Sequence, residues 1–588
     1  MTFTTLDWFL LFATLIVPVA IGVLRSKLAV RDLSQYFLAG RELPWWLSGT
    51  SMVATTFAAD TPLAITGLVA AYGLAGNWLW WNAAFGSVLT VVFFTQLWRR
   101  AGVLTDVEFT ELRYTGRSAA ILRAVRALYL GIPVNCLIIG WVNLAMAKIL
   151  AIALGWNQLN AVFLGLGVAG VYSAITGLRG VVLADFVQFF IAMVGTSALA
   201  YFVISSPEFG SIQSLLARLP PESFALWPTA EVPTSSGTIS TLALPLTAFI
   251  AYLGIQWWST WYPGQEPGGG GYIAQRIMAT RSEKEALLAT WWFTIAHYCI
   301  RPWPWILVAF ASLALYPGLS DPESGYVLIM RDYLPVGWSG LVIGGFFAAF
   351  MSTVSTQLNW GTSYVVNDWY KRFINPTASQ ARLVVVARVV TLLILVLSAA
   401  VTFALDSVRQ AWELMLESGA GIGLVLILRW YWWRVTALSE IVAIVASVVG
   451  FIVMRTMTAV AFPETLFYIV PATTLCWIIV TLLTSPVPFD HLVAFYTKVR
   501  PAGPGWKPVV ARLNSVPTQP LLPLIYRWFL GVVSVYAMLI GIYAVIFTDR
   551  LVGFLFVLAS LVDIFYHTIF LLVFRVFIDN LITINKTC

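Results

Sequence analysis

The sequence has little charge and few of the residues used in metal or redox chemistry. Only 10% of its 588 residues are charged, whereas a soluble domain carries about a quarter. The four cysteines and three histidines form no zinc-site spacing, disulfide framework or HExxH helix. No plausible nucleophile–base pair accompanies them. These absences exclude an ordinary soluble protein and argue against an enzyme.

Apolar residues dominate instead, at 60% of the chain, with a mean hydropathy of +0.84. Many apolar runs reach the ~20 residues that a helix needs to cross a bilayer. The sequence therefore predicts an all-α integral membrane protein, embedded in lipid as a single domain over residues 1–588. About fifteen transmembrane helices are expected, near 6–24, 46–74, 78–98, 126–153, 158–176, 181–205, 241–262, 285–316, 338–370, 380–404, 411–432, 437–457, 464–484, 524–547 and 551–577.

Lysine and arginine in the loops predict the orientation. Most of them fall on one side of the membrane, and the opposite loops hold only Arg218, Arg331, Arg409, Arg455 and Arg550. The positive-inside rule then places the N-terminus outside and the C-terminus inside. The loop 206–240 lies outside and the loop 485–523 is cytoplasmic. This bias explains the net charge of +7, so no nucleic-acid partner is expected.

Two predicted spans carry helix breakers. In the second span, Asp60 and Thr61 precede Pro62, and in the seventh, the stretch from Gly254 leads to Pro263 and a glycine run. An ordinary proline kink is the simpler reading of each. However, the breaks lie five spans apart, and paired broken helices in two halves point to a transporter binding site. An odd number of spans makes the halves inverted, so residues 46–205 and 241–432 are predicted as repeats, with 6–24 and 437–577 peripheral.

Hydroxyl side chains cluster in the ninth span. Ser352 and Thr353 are adjacent, and Ser355 and Thr356 follow. Hydroxyl and carbonyl oxygens are the hard neutral ligands that a small alkali cation accepts. The alternative is that these hydroxyls bond their own helix or join two helices.

Ionisable residues within spans are functional candidates because burying charge in a bilayer is costly. Asp60, Asp185, His297 and Arg301 are placed there. A structural role for Asp185, or a hydrogen-bonded scaffold for His297 and Arg301, remains open. Arg301 is expected to pair either with Asp60 or with a carboxylate on a solute.

Three tryptophans at the second break, Trp257, Trp258 and Trp261, are candidates to line a cavity, although most tryptophans belong to interfacial belts.

Four motifs in chain order resemble the sodium:solute symporter family, which includes sodium/sugar and sodium/proline transporters. They are YFLAGRELPWW at 36–46, TGLRGVVLADFVQ at 176–188, YIAQRIMATRSEKEA at 272–286 and AAFMSTVSTQLN at 348–359. The resemblance covers roughly residues 1–440. It implies a leucine-transporter-type 5+5 inverted repeat that works by alternating access.

The resemblance also implies a sodium site. Its ligands would be the carbonyls of Ala54, Phe57 and Ala349 and the hydroxyls of Ser352 and Thr353, with Asp185 on the sodium path. In the solute pocket of the family, a polar residue of the second broken helix corresponds approximately to Gln256, and a lysine of the next core helix to His297. Together with the candidates found from the residues themselves, the predicted solute contacts are Asp60, Thr61, Gln256, Trp257, Trp258, Trp261, His297 and Arg301. A glutamate that contacts sugar in one branch of the family has no counterpart in Asn77–Asn82.

The sequence therefore predicts a plasma-membrane symporter, of the bacterial inner membrane, that imports a small polar organic solute with sodium as the coupled ion. An Asp60–Arg301 pair would favour a sugar or polyol, and an unpaired Arg301 would favour an organic anion. The alternative is a membrane sensor with a transporter fold that does not transport.

Overall fold

A computed structural model describes residues 3–26, 33–175, 178–228, 244–260, 267–513 and 519–564. Regular structure within them is helical, apart from two isolated bridges, Leu43 to Thr280 and Thr260 to Ala420. This confirms the all-α prediction.

The helix bounds follow the apolar runs. Up to residue 204 the α-helices are Thr5–Ser26, Leu33–Leu38, Trp45–Thr55, Asp60–Tyr72, Trp78–Trp81, Ala84–Leu89, Thr95–Ala101, Phe109–Arg113, Gly116–Tyr129, Asn135–Leu154, Gln158–Ile175 and Leu178–Ile204. Beyond it they are Ile212–Leu216, Leu246–Ala251, Trp257–Ser259, Gly271–Ala279, Glu283–Ile295, Pro302–Leu315, Gly325–Tyr333, Trp338–Ser363, Gln380–Phe403, Val408–Ser418, Gly423–Tyr431, Ala437–Met457, Leu466–Leu483, Phe489–Val499, Lys507–Val510 and Leu522–Phe547. Residues 550–564 are also helical. Wider π-helical turns join or extend several of them, at Thr90–Phe94, Leu130–Val134, Tyr252–Gln256, Ala296–Ile300 and Tyr364–Ile374.

Ten helices among the described residues are long and apolar enough to cross a membrane, and one bent pair makes eleven. The other four predicted spans are not among these: 158–176 falls on the helix Gln158–Ile175 of 18 residues, 241–262 and 411–432 fall on shorter, interrupted helices, and 551–577 extends past residue 564. The count of fifteen thus stays a prediction. In the two long predicted loops, short helices form at Ile212–Leu216 and Phe489–Val499.

The first broken span (Trp45–Thr55 and Asp60–Tyr72) bends by 56°. Pro62 has no N–H, so the Ala58 carbonyl accepts from Thr61 N instead, at 3.3 Å. Thr61 N is the group that would bond the Phe57 carbonyl in an unbroken helix. The break therefore deprives the Phe57 carbonyl of its helical donor.

The second broken span (Leu246–Ser259 and Gly271–Ala279) opens at Thr260, and Trp261 and Pro263 lie outside the described residues. Its end is held by another break, between Val408–Ser418 and Gly423–Tyr431. There Gly421 N donates to the Ser259 carbonyl at 2.9 Å. Gly421 has φ +89°, which favours glycine, and a Cβ on Gly423 would lie 2.3 Å from the Trp258 carbonyl.

The helix Trp338–Ser363, here called the hydroxyl helix, is buried over almost its whole length and packs between Leu178–Ile204 and Thr5–Ser26. Asp7 caps its N-terminal end, because Asp7 Oδ1 accepts from Gly337 N at 2.8 Å and Gly340 N at 3.0 Å. The hydroxyl helix therefore has a fixed position beside the first broken span.

Candidate functional site

A cavity lies between the first broken span, the hydroxyl helix and the helices around them. Its wall combines hydroxyls, one carboxylate, one guanidinium and several aromatic rings. The lining residues are Thr55, Thr56, Ala58, Asp60, Thr61, Leu79, Trp80, Ile138, Trp141, Val142, Tyr272, His297, Arg301, Thr353, Gln357, Trp412 and Leu416.

One ligand of the predicted sodium site, Thr353, lines this cavity. Thr353 Oγ1 donates to the Thr55 carbonyl at 2.8 Å, so the hydroxyl helix directly contacts the end of Trp45–Thr55. The Phe57 carbonyl, which lost its helical donor, lies two residues further along. Ala349 lies one turn before Thr353 on the hydroxyl helix. Hydroxyl and carbonyl oxygens of a broken span are suited to a cation of small charge.

Ser352 and Asp185 lie next to each other. Both are buried, their side chains are within hydrogen-bonding range of each other, and neither is among the lining residues. Asp185 Oδ2 accepts from Ser51 Oγ at 2.5 Å and lies 3.9 Å from the Arg276 guanidinium. The Ser352–Asp185 contact places two buried oxygen atoms at the turn of the hydroxyl helix that carries Thr353.

Asp60 and Arg301 both line the cavity but bond different partners. Trp412 Nε1 donates to Asp60 Oδ2 at 3.0 Å, and Thr61 Oγ1 lies 3.4 Å from Oδ1. The Arg301 guanidinium donates to the Val53 carbonyl at 3.2 Å and to Thr56 Oγ1 at 3.0 Å. Its Nε also donates to the His297 carbonyl at 3.3 Å. Much of the donor capacity of Arg301 is therefore used within the protein.

The hydrogen bonds also identify the tautomer of His297. Arg301 has donors only, so the contact of 3.4 Å between its Nη2 and His297 Nε2 makes Nε2 an acceptor. The proton then lies on Nδ1, which donates to Thr56 Oγ1 at 2.9 Å. Thr56 Oγ1 in turn donates to the Val53 carbonyl at 2.9 Å. His297 and Arg301 together attach the Glu283–Leu315 region to the break in the first span.

The other predicted solute contacts lie elsewhere. Gln256 is buried behind the wall and donates from Nε2 to the Leu79 carbonyl at 2.8 Å. Trp257 stacks between Phe85 and Trp528, at centroid distances of 5.3 and 5.6 Å. Trp258 donates to the Gly254 carbonyl of its own helix. None of the three is among the lining residues, and Trp261 lies outside the described residues.

Several lining side chains were not expected from the sequence, among them the aromatic and amide groups of Trp80, Trp141, Tyr272, Gln357 and Trp412. Two of them carried a signal. Tyr272 opens one of the four motifs, and Gln357 lies one helical turn after Thr353 in another. Trp80 lies in Asn77–Asn82, the segment that lacks a counterpart of the sugar-contacting glutamate. Nothing in the sequence relates Trp412 to Asp60.

Comparison with known proteins agrees with this arrangement. The sodium:solute symporter family model matches residues 36–466. A sodium/glucose cotransporter of Vibrio parahaemolyticus is 26% identical over 475 residues, which are 76% of this chain and 84% of the relative. Sodium/glucose cotransporter 4 of Danio rerio is 27% identical over 409 residues, 64% of this chain and 60% of the longer relative.

Among solved structures, a Na+-coupled sialic acid symporter in a substrate-bound, outward-open state has a TM-score of 0.66. The match covers 83% of this chain and all of that chain at 20% identity, which establishes the leucine-transporter-type fold alone. The family and these neighbours are transporters rather than enzymes, with sodium as the cotransported ion. Because its model matches most of the sequence, the chain belongs to the sodium:solute symporter family.

Proposed function

We propose that this protein imports a small neutral, hydroxyl-rich solute, a sugar or a polyol, together with sodium. The observation that carries the proposal is the chemistry of the cavity wall. Asp60 and Gln357 present acceptor oxygens, and Gln357 Oε1 has no partner among the described residues. Trp80, Trp141 and Trp412 add aromatic faces, which suit the C–H surface of a sugar. A solute rich in O–H donors complements such a wall.

An organic anion fits this wall less well. The Asp60 carboxylate would repel it, and Arg301 already donates to the Val53 carbonyl, Thr56 and the His297 carbonyl. With one negative and one positive side chain the cavity is close to neutral, and Asp60 and Arg301 each also hydrogen-bond other groups. The curated relatives that are sodium/glucose cotransporters support a sugar.

Sodium would bind at the other end of the cavity. The ligands we propose are the carbonyls of Ala54, Phe57 and Ala349 and the hydroxyls of Ser352 and Thr353. Thr353 lines the cavity and contacts the first broken span, so sodium there would hold the break in the conformation that binds solute. Asp185, next to Ser352, would receive the ion on its way to the cytoplasm.

The remaining topology is part of the same proposal. It has about fifteen spans in a plasma membrane, two inverted five-span repeats, an outside N-terminus and a cytoplasmic C-terminus. With this orientation the membrane potential drives sodium inward. One charge moving through 100 mV contributes ~2.3 kcal/mol, which corresponds to about fortyfold accumulation of solute.

Uptake into proteoliposomes tests the proposal. Purified protein is reconstituted and given an inward sodium gradient with labelled glucose, galactose, myo-inositol, lactate or sialic acid, beside a choline gradient as control. We expect sodium-dependent accumulation of a hexose or polyol. Uptake of only the two anions would refute the solute class. Sodium-dependent solute binding without accumulation would favour the sensor.

A further inference from the structure

The cavity wall contains a further interrupted helix. The helix Trp78–Trp81 ends, Asn82 and Ala83 form a turn, and Ala84–Leu89 continues. Residues 78–83 are called the Trp80 segment here. Leu79 and Trp80 line the cavity, so the position of this turn decides where the Trp80 ring lies.

The interruption removes helical donors from two buried carbonyls. In a continuous helix Ala83 N would bond the Leu79 carbonyl, and Phe85 N would bond that of Trp81. Instead Ala83 N donates to Trp80 O at 3.1 Å, and Phe85 N donates to Asn82 O at 3.2 Å. A buried carbonyl without a donor is costly, so both need partners from elsewhere.

Side chains from distant parts of the chain supply those partners. Gln256 Nε2 donates to the Leu79 carbonyl at 2.8 Å, beside Asn82 Nδ2 at 2.8 Å. Tyr536 Oη donates to the Trp81 carbonyl at 2.8 Å. Tyr536 lies on Leu522–Phe547, which follows the part of the chain matched by the family model, residues 36–466.

The same helix packs on the segment from behind. The Tyr536 ring stacks on Trp78 with centroids 5.6 Å apart and contacts Phe85 at 5.0 Å. Trp528 Nε1 donates to the Phe85 carbonyl at 3.1 Å. A Cβ on Gly531 would approach Trp291 to 2.9 Å, so the helix cannot shift inward. The segment is therefore fixed from the side opposite the cavity.

In front, Trp80 contacts the polar wall. Its Nε1 donates to Asn77 Oδ1 at 3.1 Å, and its ring lies edge-on to His297, with centroids 5.8 Å apart. It also stacks on Tyr298 at 6.0 Å. A small displacement of the turn would move this aromatic face relative to a bound solute.

We propose that Tyr536 and Gln256 are positioning residues for Trp80, so that the helix Leu522–Phe547 helps to set the fit of the solute. The inference rests on the proposed solute cavity. It assigns Gln256 a role behind the wall in place of the direct contact expected from the sequence. It also gives a role in recognition to a helix outside the matched residues.

Tyr536→Phe removes one hydroxyl, and Tyr543→Phe is the matched control. Tyr543 lies on the same helix, and its Oη also donates to a backbone carbonyl, that of Phe224, at 3.3 Å. Phe224 is not among the cavity residues. We expect Tyr536→Phe and Gln256→Leu to raise the solute KM about tenfold and to change the selectivity between two hexoses. In both variants kcat and the sodium concentration for half-maximal uptake should stay unchanged. In Tyr543→Phe the solute KM, the selectivity, kcat and the sodium dependence should all equal those of wild type.

Hydrogen exchange of peptides from residues 78–89 is measured on the same variants without any solute. Faster exchange in Tyr536→Phe and Gln256→Leu, but not in Tyr543→Phe, supports the positioning role. This readout does not depend on uptake. If wild type took up none of the solutes tested, that result would refute only the proposed function. The inference would be overturned if Tyr536→Phe and Tyr543→Phe had the same hydrogen-exchange rate in residues 78–89 and the same solute KM. An equal loss of kcat, solute affinity and sodium affinity would also overturn it, since that indicates general destabilisation.

Discussion

The two ends of the cavity are built in different ways. The end where we propose that sodium binds, called the sodium end, uses neighbouring residues of two helices, Thr55 and Phe57 at a break and Ser352 and Thr353 on the hydroxyl helix. The end where we propose that the solute binds, called the solute end, collects single side chains from distant elements, such as Trp80, Arg301 and Trp412. A cation needs only a few oxygens at fixed spacing, which short motifs can supply. A solute needs a shaped wall, which depends on tertiary packing.

Removing the carboxylate at the solute end should have the largest effect. We expect Asp60→Asn to raise the solute KM about thirtyfold, because hydrogen bonds to a charged group contribute ~1.5–3 kcal/mol. Sodium dependence should change little. Kinetics of labelled hexose uptake measures both, with Asp332→Asn in the exposed Arg331 pair as control.

Exchanging the charges sharpens this prediction. Since Asp60 and Arg301 bond different partners, the double change Asp60→Arg with Arg301→Asp should not restore uptake. Recovery by the exchange would contradict the arrangement described here. If Asp60→Asn keeps uptake and Arg301→Gln loses it completely, the solute instead carries a carboxylate.

At the sodium end, Asp185→Asn should slow turnover about tenfold while equilibrium sodium binding falls less. The reason is that Asp185 lies beside Ser352 and is proposed to receive the departing ion rather than to hold it. Sodium-dependent thermal stabilisation measures binding, and uptake rates measure turnover. Abolished binding with a normal rate at saturating sodium would make Asp185 a direct ligand.

The smallest effect is expected at the contact that links the helix Val408–Ser418 to Asp60. Trp412→Phe keeps an aromatic face but removes the indole donor to Asp60 Oδ2. The loss of one such bond should raise the solute KM about fivefold. A KM unchanged within error would mean that Trp412 only packs against the carboxylate.

The sequence predicted those parts of the site that follow from local patterns. Pro62 marked the first break, and the adjacent hydroxyls Ser352 and Thr353 marked the helix beside it. The sequence placed Gln256 at the site, but it did not show whether the side chain points into the cavity or behind its wall. A side chain on a broken helix can point either way. The bond from Trp412 to Asp60 joins residues far apart in the chain, and no spacing rule encodes such a contact.

The measurement that tests the account most directly is a sodium titration of uptake in proteoliposomes. It compares wild type with the double variant Ser352→Ala/Thr353→Ala and with Ser355→Ala as the control. In wild type the Ser355 hydroxyl donates to the Ser352 carbonyl of its own helix at 3.2 Å. We predict that the double variant inserts normally and needs at least about tenfold more sodium, because even indirect ligand supports change metal affinity by that much. Ser355→Ala should match wild type. Identical sodium curves for wild type and the double variant would contradict the proposed sodium site.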